Sequence, residues 1–497
     1  MTAAGAGPGA ILAVDQGTTN TKALLVSPEG AVLARASRPM TLDHPQPGWA
    51  EQSALDIWAS VVEVIAELVR AHPQVPVLGV AISNQRETII LWDVRDGRPV
   101  APAISWQCRR SAPRCKTLRE AGHEALLLER TGLGIDPLFP AAKLGWLLDE
   151  VPGARDKAQA GHLRAGTVDS WLLWNLTGGK VHATDVGNAS RTQLFNRHSL
   201  NWDNELAALF GVPVSLLGQV GASGSHFGDV AAGATALPGG VPICAIMGDS
   251  HAALFGHGID APGAAKVTIG TGSSIMTLTS APVRSSHGLS GTIAWGLADG
   301  VRHALEGNIT VSGQAAAFAA RLLDLPDPDA LTALAQSVDD SGGVAFVPAL
   351  AGMGAPHWQP AARGILTGMT LGTGRGHVAR AVFEAMAMQI VDVCRAVEAD
   401  TGRALPGISV DGGATQNAFL LQLLADLLDR PVNRLANPEL SALGVARMAA
   451  QVLGLAEARE GGAAGEVVSF APRMAQRQRE AIHEGWRSAL RQVLGAC

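Results

Sequence analysis

The chain has 497 residues, 47% of them hydrophobic and 16% charged, with a formal net charge of −6. So long and apolar a sequence excludes a disordered chain and predicts two domains of roughly 200–250 residues. There is no basic excess to attract nucleic acid, and no uninterrupted apolar run of about 20 residues that a membrane helix needs.

Residues Met1 to Ala10 are small and uncharged, lack the basic start and apolar run of a signal peptide, and read as a disordered tail. Ile11 to Asp15 has strand length and ends in Gln16-Gly17-Thr18-Thr19-Asn20; Ala23 to Val26 is apolar again, so the chain opens with a hairpin or meander. Ser53 can cap a following helix in which Ile57, Val61, Ile65 and Leu68 recur at helical spacing. Val77 to Ile82 is a buried strand running into Ser83-Asn84-Gln85-Arg86-Glu87-Thr88, and Ile89 to Trp92 is expected to pair back on it.

The opening pattern recurs later. Lys266 to Ile269, the turn Gly270-Thr271-Gly272-Ser273-Ser274 and Ile275 to Leu278 repeat the order strand, Gly-Thr turn, strand, which suggests a duplicated domain. Val378 to Ala399 and Ala418 to Leu428 are helices, and between them Ile408 to Asp411 is a strand ending at Gly412-Gly413. The glycine- and proline-rich stretch at 256–263 marks a boundary. The expected division is a tail over 1–10, one domain over 11–257 and a second over 258–497. The cysteines, Cys108, Cys115, Cys244, Cys394 and Cys497, lack metal-ligand spacing and read as unpaired thiols of a reducing cytosol.

Several of these turns have the chemistry that phosphoryl transfer requires: positioning, charge neutralisation, a magnesium ion and a base for the incoming hydroxyl. In Gly17-Thr18-Thr19, glycine admits backbone N–H groups to phosphate oxygens and the threonines add hydroxyl donors. Lys22 can meet a phosphoryl group and Asp15 can hold magnesium. Asp249, just past the strand Val241 to Met247, stands where a general base belongs, although an aspartate there equally serves as a helix N-cap. Gly270, Thr271 and Gly272 form a second donor-rich turn. Gly412 and Gly413 let backbone approach a ligand at a helix start, with Asn417 within reach of a nucleobase or ribose. Arg86, Glu87 and Trp106 suit a polyol, or else Arg86 and Glu87 brace the sheet as a buried ion pair.

The stretches Ala13-Val14-Asp15-Gln16-Gly17-Thr18-Thr19, Pro47-Gly48-Trp49-Ala50-Glu51, Ser83 to Thr88, Gly248-Asp249, Ile269 to Gly272, Gly352 to Pro356 and Val410 to Ala414 together resemble the FGGY carbohydrate kinases, the glycerol kinase branch most of all. The resemblance runs from Ile11 to about Ala450. It implies an α/β fold of two actin-like (ribonuclease H-like) domains, each a five-stranded mixed sheet flanked by helices, with the active site in the cleft between them. It implies an ATP- and Mg2+-dependent kinase acting on a terminal hydroxyl of a small polyol or sugar, in the cytoplasm, as a homodimer or homotetramer. Residue by residue, it implies that Asp249 is the catalytic base and, with Asp15, a metal ligand. Gly17, Thr18, Thr19 and Lys22 would face the γ-phosphate. Gly270, Thr271, Gly272 and Gly313 would bind nucleotide, and Gly412, Gly413 and Asn417 would form the adenosine pocket. Arg86, Glu87, Trp106 and Asp249 would hold the substrate.

The departures gather at the substrate. Leu138 stands where glycerol kinases have a tyrosine, Ser250 where they have a glutamine, Ser274 where they have an aromatic residue, Cys108 where they have an aspartate, and Lys22 where arginine is usual. A pocket with less bulk and fewer polar contacts selects less well for glycerol, which leads us to expect a longer polyol or a sugar. An actin-like ATP-binding regulator or sugar sensor without turnover is the alternative, since fold does not dictate function.

Overall fold

The structure is a computed structural model that describes residues 9–455 and 467–495. The chain forms two compact units. The first is built within Met1–Gly258, Gly291–His303 and Glu439–Ala464, the second within Ile259–Ser290, Ala304–Pro438 and Gly465–Cys497. Of the expected tail, residues 1–8 lie outside the described residues, while Ala10 already opens the first strand.

The first unit is built on β1 (Ala10–Gln16), β2 (Asn20–Val26), β3 (Val32–Pro39), β4 (Val77–Asn84), β5 (Ile89–Asp93), β6 (Leu163–Thr167), β7 (Gly224–Asp229) and β8 (Pro242–Gly248). Its main sheet has the order β7-β8-β4-β1-β2-β3. The β1–β2–β3 meander is antiparallel, and β4 joins β1, and β8 joins β4, in parallel. Parallel central strands are covered on both faces and therefore read as continuous apolar runs. Every residue from Ala10 to Val14 is accordingly buried. Leu12 and Val14 share a core with Ile57, Val61 and Ile65 of the helix Ala54–Ala71, whose first turn is capped as expected by Ser53 accepting from the Asp56 amide. The helix Leu440–Val452 packs against β1, β4 and β8.

β5 does not pair back on β4. It leaves for a second, smaller sheet, where it pairs antiparallel with β6. A return needs a tight hairpin turn, and the connecting residues are tied elsewhere. The Gln85 side chain bonds Gln16 and Gln52, and Glu87 adopts φ 59, which redirects the chain.

The second unit repeats the plan with β9 (Ala265–Ile269), β10 (Ser273–Thr279), β11 (Gly300–Ile309, in this unit from Ala304 on), β12 (Ile408–Asp411), β13 (Val432–Leu435) and β14 (Val467–Phe470). The strands follow the order β11-β10-β9-β12-β13-β14. β9–β10 is antiparallel, β9–β12 and β12–β13 are parallel. The five-strand cores β3-β2-β1-β4-β8 and β11-β10-β9-β12-β13 therefore match in order, and each places a Gly-Thr hairpin beside a parallel neighbour. Helices Arg375–Thr401 and Ala418–Leu428 match the expected spans closely and pack in this unit's core.

One close crossing in the first unit seats the helix that carries Asp249. Helix Asp249–Gly256 runs against Leu440–Val452 with backbone almost touching backbone. A Cβ at Gly444 would collide with the Ala252 carbonyl oxygen, and one at Gly256 with that of Leu440. Overpacking of this kind costs about 1–3 kcal/mol. Gly444→Ala is expected to lower the thermal unfolding midpoint. Gly485→Ala, a helical glycine with open space at its Cβ, is expected to leave it unchanged or raise it. Equal midpoints in the two variants would reject the close-packing account.

Candidate active site

The β1–β2 hairpin sets Asp15 directly across from Lys22. Gly17, Thr18 and Thr19 form the turn between them, closed by the Gly17 amide donating to the Asn20 carbonyl at 2.9 Å. On the other side β4 brings Ser83 level with Asp15, and the serine hydroxyl donates to Asp15 Oδ1 at 2.7 Å. Burial raises the Asp15 carboxyl above its ordinary range, partly offset by the Ser83 bond and the Lys22 charge. Lys22 Nζ lies 2.8 Å from Glu439 Oε2, at the start of the helix Leu440–Val452.

Thr18 leads to the next group. Its hydroxyl accepts from Trp106 Nε1 at 2.9 Å and donates to Gln85 Oε1 at 3.2 Å. Gln85 is fully engaged, because it also donates to Gln16 and Gln52 at 3.0 and 2.9 Å and accepts from the Thr88 hydroxyl. This buried amide network fixes the threonine turn to the segment that carries Arg86 and Glu87. Trp106 keeps 36% of its surface exposed, an indole face left open beside that segment.

Asp249 is the first residue of its helix. Gly248 occupies the capping position, so the carboxylate does not serve as the N-cap. It accepts from the Ser250 amide at 2.6 Å and faces Arg86, whose Nε lies 3.4 Å away. The Asp249 side chain is 40% exposed, yet protein surrounds it densely enough that lost hydration pushes its carboxyl up to about 6. Arg86 opposes that shift, while the charges of Asp15 and Glu87 add to it. Arg86 in turn meets His251 Nε2 at 3.3 Å, and Ser441 donates to the Asp249 carbonyl at 3.1 Å.

Glu87 pairs more closely with Arg191, at 2.6 Å from Nε, than with Arg86, at 4.0 Å. Leu138 joins this group through Lys143, whose ammonium donates to the carbonyls of both Glu87 and Leu138. Asp15, Thr18, Lys22, Arg86, Glu87, Trp106, Leu138, Asp249 and Ser250 thus form one connected set within the first unit. Lys143, Arg191, Glu439 and Gln52 do not stand out in the sequence, where Gln16 and Gln85 appear only as members of motifs. A lone lysine between Ala142 and Leu144, and the polar run Asn188 to Gln193 among apolar segments, are the signals it offers.

In the second unit, the turn Gly270-Thr271-Gly272 docks onto the start of the helix Gly313–Leu322. The amides of Ser312 and Gly313 donate to the carbonyls of Thr271 and Gly270, each at 2.9 Å. Gly412 has φ +96 and packs against the Ile269 backbone at 2.6 Å from where its Cβ would sit, so only glycine fits. Gly413 is exposed, with open space at its Cβ. Gly270, Thr271, Gly272, Gly313 and Gly412 are therefore gathered as one glycine-rich patch. Asn417 caps the helix Ala418–Leu428, accepting from Leu420 N at 3.0 Å and donating to Thr332 at 2.8 Å. Ser274 donates to the buried Glu306 at 2.9 Å.

A raised carboxylate beside an arginine in one unit and a glycine–threonine patch in its duplicate fit a two-domain α/β phosphotransferase. Residues 10–256 match the N-terminal domain, and residues 265–452 the C-terminal domain, of the FGGY family of carbohydrate kinases. The chain belongs to that family, and it is an ATP-using kinase that phosphorylates a polyol or sugar. It is 45% identical over 490 residues to a glycerol kinase of Alkalilimnicola ehrlichii, covering 98% of each chain. It is 47% identical over 452 residues to an apulose kinase of Pectobacterium atrosepticum, covering 90% of this chain and 91% of that one. The crystal structure of Plasmodium falciparum glycerol kinase with ADP has a TM-score of 0.92 to it at 28% identity, over 98% of each chain. Nothing in these comparisons supports the alternative of a regulator or sensor without turnover. Among the described residues, no helix is long and apolar enough to cross a membrane, and Cys108, Cys115, Cys244 and Cys394 are free and buried.

The Arg191–Glu87 pair gives a direct test of the site's construction. The Arg191 side chain is 0% exposed and that of Glu87 6%. Removing one partner of such a pair leaves a buried charge uncompensated, at a cost of about 3–5 kcal/mol, whereas an apolar replacement of both is far better tolerated. Arg191→Met should therefore lower the urea unfolding midpoint more than the double variant Arg191→Met/Glu87→Met. A double variant at least as unstable as the single one would reject the pairing.

Proposed function

We propose that this kinase transfers the γ-phosphoryl group of MgATP to a terminal hydroxyl of a substrate larger than glycerol, a longer polyol or a small keto sugar of the kind exemplified by apulose. The observation that carries the reading is the make-up of the residues around Arg86, Glu87 and Asp249. Leu138 and Ser250 stand where glycerol kinases carry tyrosine and glutamine, so a three-carbon substrate would leave space and polar groups unfilled. The 47% identity to an apulose kinase shows that a chain this similar takes such a sugar, beside the 45% identity to a glycerol kinase.

In this reading Arg86 and Glu87 hold substrate hydroxyls, and Trp106 covers a C–H face. Asp249, with its carboxyl near 6, is ionised at neutral pH and still basic enough to accept a proton. It takes the proton from the terminal hydroxyl as that oxygen bonds to the γ-phosphorus and the bond to ADP breaks. Arg86 then faces a neutral acid, and loses the charge it was paired with. Lys22 and the Thr18 and Thr19 turn would steady charge on the transferring group, for which Lys22 must loosen its hold on Glu439.

Asp15 and Asp249 are the residues that would hold Mg2+. They are hard oxygen donors whose charges act on one another, which suits that ion. When bound, it would neutralise charge on the phosphates. The nucleotide is assigned to Gly270, Thr271, Gly272, Gly313, Gly412 and Gly413, within a functional C-terminal half spanning 258–497, and the substrate and base to residues 11–257. The cap and Thr332 bonds of Asn417 leave its carbonyl oxygen and one N–H already used, which narrows what it can offer adenosine. Cytoplasmic location and assembly as a homodimer or homotetramer belong to the proposal by analogy with the family.

Asp249→Asn should reduce turnover by about a hundredfold or more, the range for loss of a general base; near-normal turnover rejects its role. Because a protonated base cannot accept a proton, kcat/KM in the wild type should rise with pH below about 6 and level off above it. A screen of glycerol, four- to six-carbon polyols and keto sugars including apulose, with ADP release and phosphorylated product both followed, tests the substrate. A larger compound should give the highest kcat/KM. Glycerol leading by a wide margin would overturn the larger-substrate reading.

A further inference from the structure

The helix Pro140–Glu150 carries a cation where its pattern calls for an apolar side chain. Ala141, Ala142 and Leu144 are fully buried, and so is Lys143 between them. An ammonium group removed from water is costly unless it is well bonded. This one donates to Glu87 O at 2.9 Å and to Leu138 O at 2.6 Å. Burial pushes it down to about 7, while Glu87, Cys108, Asp136 and Cys115 favour its charge. A methionine would fill the same space without that cost, so packing does not explain a lysine here.

The two carbonyls belong to segments more than fifty residues apart in sequence, and each needs holding. Glu87 sits at φ 59, a left-handed conformation that is unfavourable for a residue with a side chain and persists only where surroundings enforce it. Its carboxylate is held by Arg191 at 2.6 Å and its carbonyl by Lys143. Leu138 lies in the short connection before the helix, anchored by its own amide to Asp136 Oδ1 at 2.8 Å. One nitrogen atom therefore ties the residue read as gripping a substrate hydroxyl to the residue read as the wall beside it.

Resting on that reading of Glu87 and Leu138, we propose that Lys143 is a positioning residue that sets the separation of these two walls, and with it the size of polyol or sugar the enzyme accepts. It touches neither substrate nor nucleotide. Its effect is on the substrate's KM and on the preference between substrates.

The experiment compares wild type, Lys143→Met and Lys143→Arg by steady-state kinetics with glycerol, a five-carbon polyol and apulose, varying ATP separately. Lys143→Met removes both bonds. It should raise the KM of the preferred substrate about tenfold and compress the preference between three- and five-carbon substrates to within about threefold, with the KM for ATP within about twofold. Lys143→Arg keeps a charge and its donors on a longer stem, so it guards against a methionine variant that fails to fold. It should shift the preference towards the larger substrate by about threefold. Unchanged preference in a folded variant, or equal losses in the KM for ATP and for substrate, would overturn the proposal. A wild type inactive on every polyol and sugar sinks the substrate reading itself, whereas an active wild type whose variants keep its preference sinks only the role of Lys143.

Discussion

The site turns on the contact between Arg86 and Asp249. Each is placed by a different strand end, Arg86 beyond β4 and Asp249 beyond β8, and the two strands are parallel neighbours in register over Met247–Ser83 and Gly248–Asn84. Parallel pairing sends both chain ends out at the same edge of the sheet, so residues more than 160 apart in sequence meet without any special loop. The arginine then balances opposing demands. Burial and the charges of Asp15 and Glu87 push the Asp249 proton on, and Arg86 draws it off. Without the arginine the carboxyl would titrate higher, and with a closer pair lower.

The same balance extends outward. Glu87 has Arg191, and Glu439 has Lys22. Such pairing explains how so acidic a cluster holds together. It also means that, on the proposed role of Lys22, an arriving phosphate would find the lysine engaged by Glu439 and would have to compete for it. The carboxylate that competes is carried at the start of the helix Leu440–Val452, which also buttresses the Asp249 helix through the Gly444 crossing and Ser441. One helix thus steadies both Lys22 and the helix that carries Asp249.

Much of this is legible in the sequence, because strand-end motifs are local. Gly-Thr turns after apolar runs, an aspartate after a buried strand and glycines before a helix are readable from a few residues, and their repetition reveals the duplicated plan. What is not legible is what depends on distant contact. The departure of β5 to its own sheet follows from side-chain bonds of Gln85 to Gln16 and Gln52. The membership of the helix Leu440–Val452 in the first unit follows from its packing against β1, β4 and β8. Lys143 stands among apolar residues in sequence and Arg191 within a polar run, but only their contacts show that they hold Glu87. Asn417 illustrates the reverse case: its family position points to adenosine, while its local sequence position, just before an apolar helix, is equally that of a cap, and its side chain makes the capping bond.

Selectivity in such a site follows from which groups are left unpaired. A pocket that loses a tyrosine and a glutamine loses directional contacts that a small triol would satisfy, and gains room that it would leave empty. Apolar space discriminates weakly, by one or two orders of magnitude, whereas an unsatisfied buried polar group discriminates strongly. Arg86 and Glu87 are both more than nine-tenths buried and already paired with Asp249 and Arg191, so a ligand that binds them has to match groups whose positions are fixed. On the proposed larger-substrate reading, the ligand has to extend past Leu138 while still presenting adjacent hydroxyls to Arg86 and Glu87, and that joint requirement is stricter than either the lost contacts or the retained pair would impose alone.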